Sequence, residues 1–180
     1  MKFICIMGRS NSGKSTVEAY LEKLGFKRSV SYTTRKPQVR NGELEQNDRE
    51  YKFVTAEKFM DLVNKGKIIE YEIYDKNMYG TPLPYGSTRY VATVCVGGFK
   101  ALKKLYGDQI LGVYIKCNKD TALQRGDKRD NSKELTSNRN TEDEKLIQEM
   151  ENEADVIIDG NQDINQMLAD ILKALRDRDI

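Results

Sequence analysis

The sequence predicts an α/β fold in which helices cover a parallel sheet. Short apolar runs rich in β-branched residues alternate with helical patterns along much of the chain, and this alternation is typical of strands joined by crossover helices. The run at 110–115 is apolar almost throughout, as expected of a strand that is buried on both faces. Together these two observations favour a parallel sheet with a helix after each strand.

Four pairs of a strand and a helix make up the predicted core. In the last helix, apolar residues recur three and four positions apart between 164 and 175, which produces one stripe facing the core. The predicted pairs are 3–7 with 14–24, 91–96 with 99–106, 110–115 with 120–125, and 156–158 with 163–175.

Residues 31–90 differ from the rest of the chain in composition and pattern, which predicts a small inserted α/β subdomain. They contain short strand-like pieces with Tyr, Thr, Pro and Gly, at 29–33, 51–54, 67–74 and 78–81. A helix is expected at 56–64, with Thr55 as its N-cap. The core is then expected to comprise about 1–30, 91–125 and 141–180.

The stretch 126–140 predicts a mobile lid. It has almost no apolar residue except Leu135 and is rich in Lys, Arg, Asp, Asn and Ser. Such a composition cannot bury enough apolar surface to form packed structure of its own.

Composition limits the function classes. The chain has 180 residues, 38% of them hydrophobic and 32% charged, which suits one ordinary globular domain. The 30 Lys and Arg nearly cancel the 28 Asp and Glu, leaving a formal charge of +2. No large field therefore favours nucleic acid or an anionic membrane as a partner. The sequence indicates no oligomeric state.

Cysteine and histidine usage excludes several chemistries. Cys5, Cys95 and Cys117 lie in or beside apolar segments, so we expect buried free thiols rather than disulfides. The chain has no histidine, which removes the usual general base and the commonest zinc ligand. The first apolar run, 3–7, is too short for a signal segment, and we expect a cytosolic protein.

The turn after the first strand predicts a phosphate-binding loop. Residues 8–16 read GRSNSGKST, which fits G-x-x-x-x-G-K-[ST] between a strand and a helix. Gly8 and Gly13 let the backbone curl so that N–H groups point at phosphate oxygens. Lys14 suits the β- and γ-phosphates of ATP and a catalytic role, and the Ser15 hydroxyl suits Mg²⁺. The predicted ATP-binding residues are Gly8, Ser10, Asn11, Ser12, Gly13, Lys14, Ser15 and Thr16.

A phosphate loop alone does not choose among GTPases, ATPases and small-molecule kinases. A GTPase would normally add a D-x-x-G turn and an N-K-x-D guanine reader, and neither occurs here. Asn118-Lys119-Asp120 places its Asp one position too early, and starting the following helix is its expected role. A large ATPase motor would need more chain. The length suits a small kinase.

The segment 31–37 (SYTTRKP) ends a predicted strand with hydroxyls and a guanidinium. Arg35 and Arg40 could form a bidentate clamp for a monophosphate, with neutral donors from nearby tyrosines and serines. Two neighbouring arginines repel each other unless an anion joins them. The alternative reading of these residues alone is a solvated β-turn.

Five motifs together resemble the guanylate kinase family. The family carries S-x-T-T-R-x-P, R-x-G-E, D-Y-x-F-V, an apolar strand ending in glutamate, and Y-G-T. The matching segments here are 31–37 (SYTTRKP), 40–43 (RNGE), 49–54 (REYKFV), 67–70 (KIIE) and 79–81 (YGT). The resemblance extends from Met1 to the C-terminal helix.

The resemblance implies a P-loop kinase that transfers the ATP γ-phosphate to GMP, with Mg²⁺, a monophosphate-binding subdomain and a lid. Glu70 and Thr81 match positions that read the guanine edge, and the carboxylate of Glu70 suits the paired N–H donors of guanine. Arg125 and Arg129 resemble lid arginines that cover the ATP phosphates, and Arg139 is an alternative for the second. The positions that match the GMP phosphate site are Ser31, Arg35, Arg40, Tyr51 and Tyr79.

Two departures from the family pattern keep alternatives open. The family has a D-x-D-like strand where this chain has Thr93, Val94 and Cys95, and a further lid arginine where this chain has no basic residue at 148–150. A kinase for dGMP or another monophosphate is therefore one alternative. A nucleotide-binding module without catalysis is another, although the intact Gly13-Lys14-Ser15 argues against it.

Overall fold

The computed structural model describes residues 2–40, 42–49, 51–84, 89–127 and 143–180. The strands are β1 (Lys2–Met7), β2 (Lys27–Arg28), β3 (Tyr32–Thr33), β4 (Val39–Arg40), β5 (Glu43–Leu44), β6 (Lys52–Phe53), β7 (Ile68–Tyr74), β8 (Asn77–Pro82), β9 (Arg89–Thr93), β10 (Ile110–Lys116) and β11 (Val156–Asp159). The helices are α1 (Lys14–Lys23), α2 (Ala56–Asn64), α3 (Val96–Tyr106), α4 (Lys119–Asp127), α5 (Asp143–Glu153) and α6 (Ile164–Arg176), with a 3₁₀ turn at Gly107–Gln109.

The central sheet has five parallel strands in the order β11-β10-β1-β9-β2. β1 lies at its centre, where Cys5 pairs with Gly112 of β10 and Ala92 of β9. All residues of β1 after Lys2 are buried, because helices cover both faces of the sheet. The predicted α/β class with a parallel sheet is confirmed.

Alternate residues of β1 enter two separate cores. Ile4 and Ile6 pack on one face against α1 and α6, while Phe3, Cys5 and Met7 pack on the other face against α3 and α5. This alternation follows from the two-residue period of a strand. The molecule therefore has three layers, with the sheet between two pairs of helices.

A second, mixed sheet in the order β6-β3-β8-β7 occupies the sequence between β2 and β9. Phe59 of α2 is fully buried and packs edge-on against Tyr71 of β7. α2 has the predicted bounds, and Thr55 caps it because its Oγ1 accepts a hydrogen bond from Lys58 N at 3.2 Å. β4 and β5 form a separate two-stranded hairpin.

Two predicted strands are corrected. The strand expected at 29–33 is shorter, because only Tyr32 and Thr33 are strand residues (β3, in the mixed sheet), and β2 in the central sheet ends one residue before the predicted start. The strand expected at 91–96 runs instead from 89 to 93, and α3 begins at Val96, three residues before the predicted start. The reason is that Cys95 caps the helix, its sulfur accepting from Gly98 N at 3.3 Å. Gly97 and Gly98 are poor helix formers, so the pattern predicted a later start.

The remaining predictions concern the second half of the chain. α5 had no counterpart among the predicted pairs, and its Ile147 and Met150 pack at the edge of the core beneath α3. Of the predicted lid, 126–140, the first two residues form the end of α4, and the remainder lies outside the described residues. No helix within the described ranges is long and apolar enough to span a bilayer.

Candidate functional site

The candidate site lies at the carboxyl edge of the central sheet. β1 is flanked by β9 and β10, and the connections leave β1 and β10 toward opposite halves of the sheet. Such a point of divergence opens a crevice beyond the strand ends, where ligands of open α/β sheets bind. Residues 8–13 join β1 to α1 at this point.

The backbone of this loop adopts a conformation that favours glycine. Gly8 has φ 148° and Gly13 has φ 107°, and Asn11 between them has φ 61°. A Cβ at Gly8 would lie 2.7 Å from Ile115 O, closer than packed atoms approach. The loop therefore curls tightly against the end of β10, and positive φ angles of this kind are those with which a chain can turn successive amides toward an anion.

Side chains of the loop make contacts within the same turn. The Lys14 Nζ donates to Gly8 O at 2.8 Å and Arg9 O at 2.6 Å, which holds the ammonium across the loop. Ser12 is fully buried, and its Oγ has no hydrogen-bond partner among the described residues. Ser15 is exposed at the start of α1. The predicted ATP-binding residues thus all lie on the turn between β1 and α1 or in the first residues of α1. They are Gly8, Ser10, Asn11, Ser12, Gly13, Lys14, Ser15 and Thr16.

A second cluster forms in the mixed sheet around Arg35. Its guanidinium pairs bidentately with Glu45, Nη1 lying 2.8 Å from Oε2 and Nη2 3.1 Å from Oε1. Both side chains are largely buried, with 11% of Arg35 and 2% of Glu45 exposed. Burial works against the charged guanidinium, but the hydrogen bonds and charge of Glu45 outweigh it and the pKa of Arg35 is raised. The cation is therefore fixed in place.

Tyrosines predicted for the acceptor site surround this cation. The Arg35 guanidinium carbon lies 5.3 Å from the ring centre of Tyr51, and the Tyr51 and Tyr79 rings meet edge-on at 5.8 Å. Ser31 precedes β3, and its carbonyl accepts from Lys52 N at 2.8 Å. Arg40 lies on β4, but its side chain is outside the described part of the chain.

Glu70 and Thr81 face each other on β7 and β8 and meet the start of α3. They are cross-strand partners, and both approach α3 so closely that a Cβ at Gly98 would lie 2.7 Å from Thr81 Oγ1 and 3.3 Å from Glu70 Oε2. Burial raises the pKa of Glu70, and a hydrogen bond from Cys95 partly offsets this. The structure brings the two predicted base-reading residues together.

The predicted lid arginines are only partly described. Arg125 lies on α4, where its Nη1 donates to Gly160 O at 2.7 Å. Gly160 borders the phosphate loop, since a Cβ there would lie 3.1 Å from Ser12 O. Arg129 and Arg139 lie outside the described residues.

Two buried carboxylates are absent from the predicted site. Glu45 is one, and Glu18 of α1 is the other, with 3% of its surface exposed. Glu18 Oε1 accepts from Thr93 N at 2.5 Å, and Oε2 lies 3.2 Å from Arg28. The sequence indicates the burial of Glu18 only weakly. Glu18 lies three residues before Leu21, so the two side chains share the buried face of α1. Glu18 thus places a carboxylate at the end of β9, where the strand itself has none.

The site contains no preformed metal cage in its described part. No group of three or more Cys, Asp or Glu side chains that could hold a metal ion occurs among the described residues. A Mg²⁺ ion bound mainly through phosphates and water requires only one or two protein ligands, and the exposed Ser15 hydroxyl is of that kind.

Comparison with known proteins agrees with this arrangement. A sequence model described as guanylate kinase matches residues 1–178. A guanylate kinase of Porphyromonas gingivalis is 36% identical over 124 residues, 63% of this chain and 64% of that protein. One of Schizosaccharomyces pombe is 43% identical over 88 residues, 46% of this chain and 41% of that protein. The crystal structure of guanylate kinase from Anaplasma phagocytophilum has a TM-score of 0.73 at 22% identity, covering 98% of this chain and 85% of that one.

The extent of these matches differs between sequence and fold. The matched segments span 64% and 56% of the first two curated relatives, less than two thirds of their length. The likeness to the solved structure covers nearly all of this chain and concerns the fold. The family model also covers all but the last two residues. On that match, the chain belongs to the guanylate kinase family.

Proposed function

We propose that this protein transfers the γ-phosphate of ATP to GMP, producing ADP and GDP. The observation that carries the proposal is the presence of two separate clusters, each with a cation held in place: the curled loop at 8–13 with Lys14, and Arg35 with Tyr51 and Tyr79. One suits a polyphosphate and the other a monophosphate. Curated relatives named guanylate kinase support the choice of reaction.

On the donor side, the loop amides and the start of α1 would hold the ATP phosphates. Lys14 is already positioned over the loop by two carbonyl oxygens, and an anion there would offer its ammonium a stronger partner. Ser15 would contribute a hydroxyl to Mg²⁺, which supplies charge neutralisation of the β- and γ-phosphates when bound. The buried Glu18 is ion-paired with Arg28 nearby on the same edge of the sheet.

On the acceptor side, Arg35 would hold the GMP phosphate. Its Nη1 donates to Lys36 O at 2.8 Å as well as to Glu45, so the guanidinium has a fixed orientation before an anion arrives. The tyrosine hydroxyls of Tyr51 and Tyr79 would add neutral donors. Arg40 would supply the second guanidinium of the clamp, and Ser31 a further hydroxyl.

Glu70 and Thr81 would read the base. Guanine presents N1–H and its 2-amino group as adjacent donors, and a carboxylate is a paired acceptor. Adenine presents no such pair. The half-buried position of Glu70 strengthens its hydrogen bonds relative to bulk water.

Transfer would then proceed in line, with a GMP phosphate oxygen attacking the γ-phosphorus. No covalent intermediate with the protein is required, and catalysis comes from positioning and charge. Lys14 would stabilise the transferring group. Arg125 and Arg129, with Arg139 as the alternative to Arg129, would add positive charge at this group and exclude water from it.

The proposal is tested by measuring ADP release with five acceptors, GMP, dGMP, AMP, CMP and UMP, at saturating ATP. We expect kcat/KM for GMP to exceed that for AMP, CMP and UMP by about 10³-fold or more, because a carboxylate reader leaves unpaired groups with those bases. A higher value for dGMP than for GMP would assign the enzyme to the deoxynucleotide instead. ADP release that no monophosphate stimulates would refute the kinase assignment.

Acidification should weaken the acceptor site selectively. Burial raises the pKa of Glu70 above its ordinary value of 4.5, and only the ionised carboxylate has both oxygens free to accept from N1–H and the 2-amino group together, because protonation makes one of them a donor. The KM for GMP should therefore rise as the pH falls through this raised pKa, while the KM for ATP follows a different profile.

A Glu70→Gln variant provides the control for that profile. It retains the titration of the GMP phosphate itself, whose second pKa lies at about 6, but it lacks the carboxyl group. The difference between the two KM profiles isolates Glu70. Identical profiles in both proteins would contradict its role in reading the base.

A further inference from the structure

A cavity of about 550 Å³ lies apart from the proposed donor and acceptor sites, where the edge strand β2 of the central sheet meets the mixed sheet. Both sheets contribute to its wall. Lys27, Arg28 and Tyr90 come from the central sheet, whereas Tyr32 and Lys52 come from the mixed sheet. Small-molecule sites typically have volumes of this order. The cavity is therefore large enough for a mononucleotide.

The cavity and the Arg35 cluster lie on opposite faces of the mixed sheet. The Arg35 guanidinium carbon lies 5.7 Å from the ring centre of Phe53, and Phe53 follows Lys52 on β6. Successive residues of a strand point to opposite faces. Lys52 and its cross-strand partner Tyr32 therefore point away from Arg35. A ligand in the cavity would not touch the guanidinium of the acceptor site.

Two lysines give this cavity a positive charge. Lys52 Nζ lies 5.0 Å from the ring centre of Tyr32, and Lys27 Nζ lies 5.9 Å from that of Tyr90. Neither lysine forms an ion pair with a carboxylate in the part of the chain that the structure describes. An aromatic face attracts an ammonium group but does not neutralise its charge. An anionic ligand would supply that charge.

The other charged groups of the wall agree with an anionic ligand. Arg28 Nη2 lies 3.2 Å from Oε2 of the buried Glu18, so this cation is already paired. Asp48 is the one carboxylate among the described wall residues, and it is exposed, with Oδ2 accepting from Asn47 Nδ2 at 2.8 Å. Lys67 adds a further ammonium group to the wall. Cations therefore outnumber carboxylates, which attracts anions to the cavity.

The rest of the wall is mainly apolar. Pro82, Pro84 and Tyr90 are buried and line the cavity together with Leu62 and Leu83. Covering such a surface is favourable for an apolar group of a ligand, and an inorganic anion has none. The wall therefore suits a ligand that combines an anionic group with a ring.

Independently of the phosphoryl transfer proposed above, we propose that this cavity is a third nucleotide site. It binds a mononucleotide whose phosphate pairs with Lys27 and Lys52 and whose base lies against the apolar wall. The identity of the base should matter little, because every base has a flat apolar face. The site should therefore accept CMP, whose base lacks the pair of donors that suits Glu70.

The test uses a fluorescent reporter in the cavity. The chain has no tryptophan, so Tyr32→Trp introduces a single one beside Lys52. We expect CMP to change the tryptophan emission saturably with a Kd below about 1 mM, whereas cytidine, which lacks the phosphate, should change it little. Inorganic phosphate should bind about tenfold more weakly than CMP or less, because it leaves the apolar wall uncovered.

Charge variants of the reporter protein identify the site. Lys52→Glu should raise the Kd for CMP about tenfold or more, because it replaces a charge-assisted contact by repulsion. Lys23→Glu is the matched control, since it changes the net charge equally on the exposed last turn of α1, and its Kd should be unchanged. Arg35→Ala/Glu45→Gln removes the acceptor cation without leaving a buried charge, and its Kd should also be unchanged.

Several outcomes would overturn the third site. They are an emission that CMP does not alter, a Kd that Lys52→Glu leaves unchanged, and equal affinities for inorganic phosphate and CMP. A Kd that rises in the Arg35→Ala/Glu45→Gln protein would also overturn it, because the signal would then report the acceptor site.

Two further measurements make the result independent of the reporter. Thermal melting checks that each variant folds. Calorimetric titration of CMP into the protein with its native Tyr32, with and without Lys52→Glu, gives the same comparison and decides the matter if Tyr32→Trp does not fold. The assay with five acceptors tests the kinase assignment separately, so failure of one does not imply failure of the other.

Discussion

Lys14→Ala should reduce kcat for phosphoryl transfer by about 10³-fold or more, with a smaller effect on folding. Removing one preorganised charge from a developing phosphoryl transition state has a cost of this order. The loop itself should persist, because its curl depends on Gly8 and Gly13 and on packing against Ile115. Single-turnover measurement of GDP formation, together with thermal melting, checks both parts.

Lys23→Ala is the matched control for this variant. Lys23 is an exposed residue of the last turn of the same helix, so its removal changes the net charge equally but leaves the phosphate loop intact. Its kcat should equal that of the wild type. Near-normal transfer by Lys14→Ala would refute the role assigned to this ammonium.

Arg35→Ala should raise the KM for GMP by about 10²-fold while the KM for ATP changes little. The substitution removes the fixed cation of the acceptor site. It also leaves Glu45, of which 2% is exposed, as a buried carboxylate without its cation. We therefore expect a loss of stability of about 3 kcal/mol, measurable by urea unfolding.

A double variant separates these two effects. In Arg35→Ala/Glu45→Gln the uncompensated charge is gone, and the glutamine oxygen can still accept from Gln38 N as Glu45 does at 2.9 Å. Most of the lost stability should return, but the KM for GMP should remain high. An acceptor dependence unchanged from the wild type in either variant would count against the phosphate clamp.

The parts of the site that could be predicted are those made by neighbours in the chain. The phosphate-loop motif spans nine consecutive residues, 8–16, which follow an apolar strand and run into the first turn of a helix, and its chemistry follows from glycine geometry and one lysine. α2 and its Thr55 cap are likewise local, because a cap acts three residues along the helix.

The parts that could not be predicted depend on contacts between distant positions. Glu18 and Thr93 are 75 positions apart, and Cys95 and Glu70 are 25 apart. No periodic pattern indicates such pairs, because they form only after β9 has aligned with β1 and α3 has packed against β7. The pairing of Arg35 with Glu45, ten positions further along the chain, likewise depends on how the chain folds between them.

By itself, the sequence determined the α/β class, the phosphate loop and the order of the acceptor motifs, since hydrophobic periodicity and short motifs are properties of adjacent residues. Only the tertiary structure decided where α3 begins, which carboxylate holds Arg35 and that a thiol faces Glu70. The contact between the thiol and Glu70 depends on how closely the start of α3 approaches Glu70 and Thr81, an approach that the glycines at 97 and 98 permit. Glu45 reaches Arg35 because the chain between them folds back as the β4–β5 hairpin.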